Sequence, residues 1–153
     1  MNEKLYLFNP FNIKNVKDIE LKNMYNEVFN QLLDEPNSMF EYSHNVEVYS
    51  NLEYILGEVI ARLTRDVIEL KTKIKIDTAI NTTEERKRWG DGKPPAMSYF
   101  EGIATRISQN DINGLADKEC SLARFKNAYK STEEKINALK RKMESIKFEE
   151  FNN

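Results

Sequence analysis

The sequence is poor in the residue types from which catalytic and metal sites are built. It has one histidine, His44, and one cysteine, Cys120, so neither a histidine-based metal triad nor an internal disulfide is available. His44 is interpreted as a capping or surface residue. A lone cysteine in a helical stretch is usually a small packing or surface residue, which argues against a catalytic Cys–His pair. We therefore predict no catalytic residue, no metal site and no cofactor, and expect that the protein is not an enzyme.

Long apolar runs are also missing. No stretch approaches the roughly 18 apolar residues that a membrane-spanning helix needs, and the first residues lack the pattern of a signal peptide. Glycine and proline are scarce, with five and four residues, and 31% of the chain is charged. This composition is typical of soluble, helix-rich proteins. We expect an all-α cytoplasmic protein, inside a bacterial host cell, with no membrane partner.

Charge is distributed unevenly along the chain. Residues 1–61 contain ten acidic residues and four lysines, a net charge of −6, whereas residues 62–153 have a net charge of +4. Such asymmetry suits head-to-tail self-association, or an anionic partner for the second part. Ordinary solvated helix faces are an equally open explanation.

The first 37 residues are predicted to form an N-terminal arm and one helix. The apolar run Leu5–Phe8 predicts either a short strand or an arm that docks on a neighbour. Asn15 is a good N-cap for a helix that ends before Pro36, since the residue preceding a proline disfavours helical geometry. The predicted apolar stripe of this helix consists of Val16, Ile19, Met24, Val28, Phe29, Leu32 and Leu33.

A long second helix is predicted from a capping box formed by Ser38 and Glu41. It should run to about Arg88, with an early break possible. Apolar residues recur along it at spacings of three and four, as in a coiled-coil seam. These positions are Tyr49, Leu52, Leu56, Val59, Leu63, Val67, Leu70 and Ile74.

A bend is predicted at about residues 89–98, where Gly90 ends the long helix and Pro94 prevents its continuation. Ser98 and Glu101 form a second capping box, which predicts a new helix with an interruption at Asn113–Gly114. A heptad pattern then follows to the end of the chain. Its apolar positions are Leu115, Leu122, Phe125, Tyr129, Ile136, Leu139, Met143 and Ile146.

Together these signals predict a small N-terminal helical region, residues 1–37, followed by a long antiparallel helical hairpin of coiled-coil character, residues 38–153. A hairpin of two helices has too little interior to bury both seams, so we expect a homo-oligomer. The predicted oligomerisation residues are Leu122, Phe125, Tyr129, Ile136, Leu139, Met143 and Ile146.

The bend contains a Gly-Lys pair, Gly92-Lys93, but it does not fit a nucleotide-binding P-loop. That loop needs a glycine five residues earlier and Ser or Thr directly afterwards. Lys87 and Pro94 occupy these positions.

Polyanion binding is the better-supported chemistry. Basic residues approach the bend and a second set follows the last helix, and single-stranded nucleic acid is bound by cationic tracks together with aromatic platforms. Trp89 is either such a platform or a packing residue beside the turn. The predicted nucleic-acid-binding residues are Lys71, Lys75, Arg86, Lys87, Arg88, Trp89 and Lys93.

About two-thirds of the chain, from Glu47 to Phe151, resembles the phage recombination mediators of the UvsY family. The likeness lies in the long helix with a basic end, in the bend Trp89-Gly90-Asp91-Gly92-Lys93-Pro94-Pro95, and in the last helix with its Asn-Ala-Leu-Lys-Arg-Lys segment. The resemblance implies a non-enzymatic accessory factor of DNA recombination and repair. Such a protein forms ring-like homo-oligomers, binds single-stranded DNA and helps a RecA-like recombinase replace the single-strand-binding protein.

Carried over by resemblance, the DNA-contacting residues before the bend are Arg86, Lys87 and Arg88, and the last helix is the assembly element. Two other functions fit the same pattern. One is a phage-encoded helical inhibitor or adaptor that binds a host protein complex through its acidic first 61 residues. The other is a coiled-coil assembly factor.

Overall fold

The computed structural model describes residues 10–90 and 92–152, with side chains from residues 13–90 and 92–149. These residues form a 3-10 helix and four α-helices, and contain no strand. The 3-10 helix is Pro10–Asn15, and the α-helices are α1 (Asp18–Phe29), α2 (Met39–Arg88), α3 (Met97–Ile107) and α4 (Gln109–Asn152). The all-α class and the long hairpin, in which α2 packs with α4, are confirmed. The apolar run Leu5–Phe8 lies outside the described residues.

The predicted capping box at the start of α2 is confirmed. The Ser38 Oγ accepts the Glu41 N–H at 3.3 Å, and the Glu41 carboxylate accepts the N–H groups of Ser38 at 3.2 Å and of Asn37 at 2.8 Å. The bond from Asn37, followed by those from Ser38, lowers the pKa of Glu41. From this cap α2 continues for 50 residues to Arg88 without the early break that the sequence left open.

Helix α1 begins later than predicted. Asn15 is the last residue of the 3-10 helix and not an N-cap, and α1 starts at Asp18. The first turn is closed by Glu20, whose carboxylate accepts the Lys17 N–H at 3.1 Å.

Helix α1 also ends earlier than predicted, at Phe29 instead of just before Pro36. The buried side chain of Asn45, from α2, donates to the Leu33 carbonyl at 2.8 Å and accepts the Leu33 N–H at 2.9 Å. His44 binds the Gln31 carbonyl at 2.9 Å. Tertiary hydrogen bonds to Gln31 and Leu33 therefore hold this segment outside the helix.

The buried face of α1 differs from the predicted stripe. Leu21 and Val28 are buried, and Leu21 was not predicted. Ile19, Phe29 and Leu33 are exposed, although the stripe included them. Leu21 and Val28 are seven residues apart, about two turns, so they share the side that packs on the core, whereas Ile19 lies on the opposite side of the helix.

The helices form two compact units by their internal contacts. Unit 1 contains the residues up to Ala61 and those from Arg124 onward, and unit 2 contains Arg62–Ala123. Each unit therefore includes part of α2 and part of α4. The contacts follow the pairing of the long helices.

Unit 1 has a continuous apolar core. The 3-10 helix, α1 and the first half of α2 each contribute side chains that are at most 8% exposed. The members of this core are Ile13, Leu21, Val28, Val48, Leu52 and Ile55. From α4, Ile136 and Thr132 are also buried.

Unit 2 has fewer buried apolar side chains. Val67, Phe100 and Ala104 are buried, together with the polar Thr82 and Ser108. Three ion pairs join α2 to α4 in this unit: Lys71 with Glu119 at 2.7 Å, Lys73 with Asp111 at 2.6 Å, and Lys118 with Asp66 at 2.6 Å.

The two long helices run antiparallel in each unit. In unit 2, Asp66 contacts Lys118 and the later residue Lys73 contacts the earlier residue Asp111. In unit 1, the Lys135 ammonium lies over the Tyr49 ring, 5.9 Å from its centroid, while Gly57 approaches Tyr129.

The second arm of the hairpin starts and breaks at other residues than predicted. Ser98 does not form a capping box, because α3 begins at Met97 with Ala96 as its N-cap and no side-chain bond to the cap. The interruption falls at Ser108, between α3 and α4, and not at Asn113–Gly114. Gly114 lies within α4, where a Cβ added to it would be 3.9 Å from the Leu70 side chain. Gly114 therefore continues the helix instead of interrupting it.

Candidate nucleic-acid interface

The bend of unit 2 is the place where exposed basic and aromatic residues meet. Gly90 ends α2 with a φ of +76°, a conformation that glycine adopts without strain. The chain then passes close to Trp89, since a Cβ added to Gly92 would be 3.5 Å from the indole nitrogen. Local backbone chemistry thus brings the residues after the turn back onto the tryptophan.

Three aromatic rings form one cluster at this bend. The rings of Trp89 and Tyr99 have centroids 6.2 Å apart, those of Trp89 and Phe100 6.2 Å, and those of Tyr99 and Phe100 5.6 Å, all in edge-to-face contact. Phe100 is 2% exposed, whereas Trp89 is 45% and Tyr99 51% exposed. Trp89 is therefore a packing residue on one side, and it also presents ring surface to solvent.

The basic run at the end of α2 is exposed, but its members differ. Arg88 donates to the Glu85 carboxylate at 2.7 Å, whereas Arg86 and Lys87 make no ion pair within the residues that the structure describes. All three stabilise the negative end of the helix dipole. Arg86 and Lys87 are thus the members of the run whose charge is open to an anion.

The remaining predicted cations also divide into two kinds. Lys71 is bound to Glu119 on α4 at 2.7 Å. Lys75 and Lys93 are exposed and make no ion pair among the described side chains. Lys75 precedes Arg86 by 11 residues, about three helical turns, so both lie on the same side of α2. Lys75 and Arg86 therefore lie on the same side of α2, whereas Lys87 lies about a quarter turn away from them.

The predicted oligomerisation residues are partly covered within the chain itself. Ile136 is buried, and the other six are half-buried. Tyr129 shows how: its ring lies 3.8 Å from a Cβ placed on Gly57. Burial, and then a hydrogen bond to Glu53, raise the pKa of Tyr129. Part of the α4 seam therefore packs on α2 of the same chain.

Unit 1 contains a cavity of about 370 Å³ beside this tyrosine, which the sequence did not predict. It is lined by Ser50, Glu53, Tyr54, Gly57, Glu58 and Tyr129. Two carboxylates and two phenols favour a cationic group and repel a phosphate. The cavity is therefore no part of a nucleic-acid interface.

Among the described residues, no group of three or more His, Cys, Asp or Glu side chains is arranged to hold a metal ion. Cys120 is exposed. None of the described helices has an apolar stretch long enough to cross a bilayer.

Comparison with known proteins adds no relative: no family model, no curated protein and no solved structure matches this chain.

Proposed function

We propose that the protein binds single-stranded DNA at the bend of unit 2. The observation that supports this function best is the juxtaposition of exposed cations with a partly exposed aromatic cluster. Arg86, Lys87 and Lys93 precede and follow Trp89, whose ring is fixed by Phe100. Cations bind the phosphates of a single strand, and an immobilised ring offers its face to a base.

Affinity per subunit should be modest. Glu84, Glu85 and Glu101 lie near the four cations of the bend and reduce the local potential. A small site of this kind becomes effective when several copies engage one strand, because linked weak contacts gain avidity. The proposed function therefore includes self-association. The exposed edges of the α4 seam, from Leu122 to Ile146, are its proposed oligomerisation element.

The proposed cellular role is that of a recombination mediator, and it rests on the resemblance to the UvsY family. In this role the protein, in the cytoplasm of a bacterial host, helps a RecA-like recombinase replace the single-strand-binding protein on DNA. This function requires binding and no bond chemistry, so we propose that the protein is not an enzyme.

Binding to a fluorescent oligo-dT at several salt concentrations tests the interface. We expect affinity to fall as salt rises, because bound cations release counterions from the strand. Replacing Arg86, Lys87 and Arg88 by alanine should weaken binding and reduce the salt slope by about 2, at about 0.7 per phosphate contact. Trp89→Ala should cost about 1–3 kcal/mol if a base stacks on the ring.

A matched control keeps this test specific. The triple alanine variant of Lys126, Lys130 and Arg141 removes the same charge from exposed residues of α4 in unit 1. It should affect binding less than the bend variant. Unchanged binding after the Arg86, Lys87 and Arg88 replacements would rule out the site.

The second candidate is a protein-binding inhibitor or adaptor that acts on a host complex. The observation in its favour is the acidic, apolar surface of unit 1, where Phe40 is 82% and Ile19 61% exposed. Light scattering with and without oligo-dT, at two salt concentrations, separates the candidates. A protein that stays monomeric and ignores DNA would contradict the first and leave the second.

A further inference from the structure

The outward side of α2 in unit 2 carries a second apolar stripe, whose isoleucines are at least half exposed. Ile68, Ile76 and Ile80 are 58%, 51% and 50% exposed. Ile76 follows Ile68 by eight residues, slightly more than two helical turns, and Ile80 follows Ile76 by four, slightly more than one turn. The three isoleucines therefore lie on the same side of the helix. Exposed isoleucines in such a row are characteristic of an interface and not of a solvated face.

Two threonines extend this outer stripe. The Thr72 hydroxyl donates to the Ile68 carbonyl at 2.8 Å, and the Thr83 hydroxyl donates to the Ala79 carbonyl at 2.9 Å. Because each hydroxyl is bonded to a carbonyl of its own helix, each threonine contributes its methyl group to the apolar surface. The outer stripe therefore extends from Ile68 to Thr83, about 24 Å along the helix.

Two charged residues on one edge of the outer stripe indicate which kind of helix could pack on it. Glu69 and Lys87 are 18 residues apart, about five turns, so both lie on the same edge at opposite ends. Neither makes an ion pair among the described residues. In a parallel, in-register pair of helices, Glu69 would face Glu69 and Lys87 would face Lys87, which is unfavourable. An antiparallel copy instead places Glu69 against Lys87 twice.

The same antiparallel register also pairs the two central isoleucines of the outer stripe. A two-fold axis at residue 78 matches Glu69 with Lys87, and it equally matches Ile76 with Ile80 of the other copy. Thr72 then lies opposite Glu84, Thr83 opposite Lys73, and Ile68 opposite Arg88. No two like charges oppose each other at this register, which is the complementarity that a self-recognising helix face requires.

We infer that the outer stripe of α2 is a two-fold interface through which two copies of the chain pair antiparallel. This interface differs from the α4 seam and does not rest on DNA binding. In this interface Lys87 pairs with Glu69 of the other copy. Lys75 and Arg86 lie near the opposite edge of the outer stripe and make no such pair.

Sedimentation equilibrium over a range of concentrations tests the inference. At micromolar concentration the mass of the wild-type protein should rise to that of a dimer, or of a larger oligomer with an even number of subunits. Ile76→Asp with Ile80→Asp should weaken the pairing at least tenfold. The matched control, Ile19→Asp with Ile107→Asp, changes two isoleucines of similar exposure outside the outer stripe and should leave the mass unchanged. A wild-type protein that remains monomeric, or a control that dissociates equally, overturns the inference.

Charge reversal tests the register. Glu69→Lys alone and Lys87→Glu alone should each weaken pairing severalfold, since like charges then meet, and the double variant should restore it within about twofold. Circular dichroism verifies that each variant keeps its helix content. Absence of restoration would exclude the proposed register.

Cysteine cross-linking tests the direction in a Cys120→Ser background, because Cys120 is exposed. Ala79→Cys should form disulfide-linked dimers, since the two copies of residue 79 lie about 3 Å apart along the axis. Ile68→Cys should not, because its copies lie about 30 Å apart. Cross-linking at both positions would indicate parallel helices and overturn the inference.

This inference and the proposed function can fail independently. The double variant Lys75→Ala with Arg86→Ala should reduce binding to oligo-dT without changing the mass of the free protein. Ile76→Asp with Ile80→Asp should dissociate the pair without removing a cation. If the isoleucine variant keeps the wild-type mass, the two-fold interface is wrong. If the Lys75 and Arg86 variant keeps the wild-type affinity for oligo-dT, the proposed DNA site is wrong.

Discussion

Unit 1 and unit 2 are built on the same two long helices, but different forces join the helices in each. In unit 1, six apolar side chains from three helical segments form a continuous buried core. In unit 2, three apolar residues are buried, and three ion pairs tie α2 to α4. Apolar burial is insensitive to screening by salt, whereas exposed ion pairs weaken with it.

This contrast suggests that unit 1 stabilises the fold and that unit 2 binds partners. We expect the continuous core to make unit 1 the more stable part of the fold. Unit 2 carries the bend, the aromatic cluster and the outer stripe, and elements that bind partners are commonly drawn from the less stable part of a protein. Three predictions, in order of decreasing effect, test whether the contrast is real.

The first prediction compares the same change in both units. Leu52→Ala, in the core of unit 1, should lower the free energy of unfolding by about 2–5 kcal/mol, because it removes a fully buried side chain and leaves a cavity. Leu70→Ala, at a half-buried position in unit 2, should cost less. Urea denaturation followed by circular dichroism measures both. Ile19→Ala, at an exposed residue, is the control and should change stability by no more than about 0.5 kcal/mol. Equal costs for the two leucines would remove the distinction between the units.

The second prediction uses salt. Raising NaCl to 1 M shortens the screening length to about 3 Å, so amide protection should fall in residues 62–123 and stay constant in the core of unit 1. Hydrogen exchange measured by mass spectrometry resolves the two regions. Lys118→Met, which removes the pair with Asp66, should cost about 0.2–1 kcal/mol at low salt and nothing at high salt. Lys126→Met, an exposed lysine without an ion pair among the described residues, is the matched control. A uniform response of both units would contradict the prediction.

The third and smallest prediction concerns the cap of α2. The bonds from Asn37 and Ser38 lower the pKa of Glu41 below its ordinary value of 4.5. A lowered pKa in the folded state means that the carboxylate stabilises the fold above pH 4.5, and that this contribution is lost as the pH falls through the lowered value. Glu41→Gln should therefore reduce the melting temperature at pH 7 and have no effect at a pH well below 4.5. Glu47→Gln, an exposed residue further along the same helix, should show no such dependence on pH. A Glu41→Gln effect that persists in strong acid would exclude the carboxylate as its cause.

Several features of the fold could be predicted because they depend on neighbours in sequence. The start of α2 at the Ser38–Glu41 capping box, its end at Gly90 and the seam from Tyr49 to Ile74 all follow from local patterns. The seam positions are buried or half-buried in the structure. The exposed basic run and the bend were equally visible, since they depend on residue type alone.

Other features could not be predicted because a distant residue decides them. Helix α1 ends at Phe29 since Asn45, twelve residues beyond Leu33, binds that residue's backbone. Likewise, the ion pairs that hold Lys71 and Lys73 could not be foreseen, and the bond to Asp111 raises the pKa of Lys73. The sequence predicted Lys71 as a nucleic-acid-binding residue, whereas Glu119 binds it to α4.

The sequence by itself determined an all-α chain with two long helices, a bend at the Gly/Pro segment and a basic, aromatic surface beside it. These properties arise from helical periodicity, capping and turn chemistry, which act over a few residues. Only the tertiary structure decided that Gly114 continues a helix, that the interruption falls at Ser108, and which cations remain unpaired. Tertiary contacts join residues that are tens of positions apart, and no local pattern encodes them.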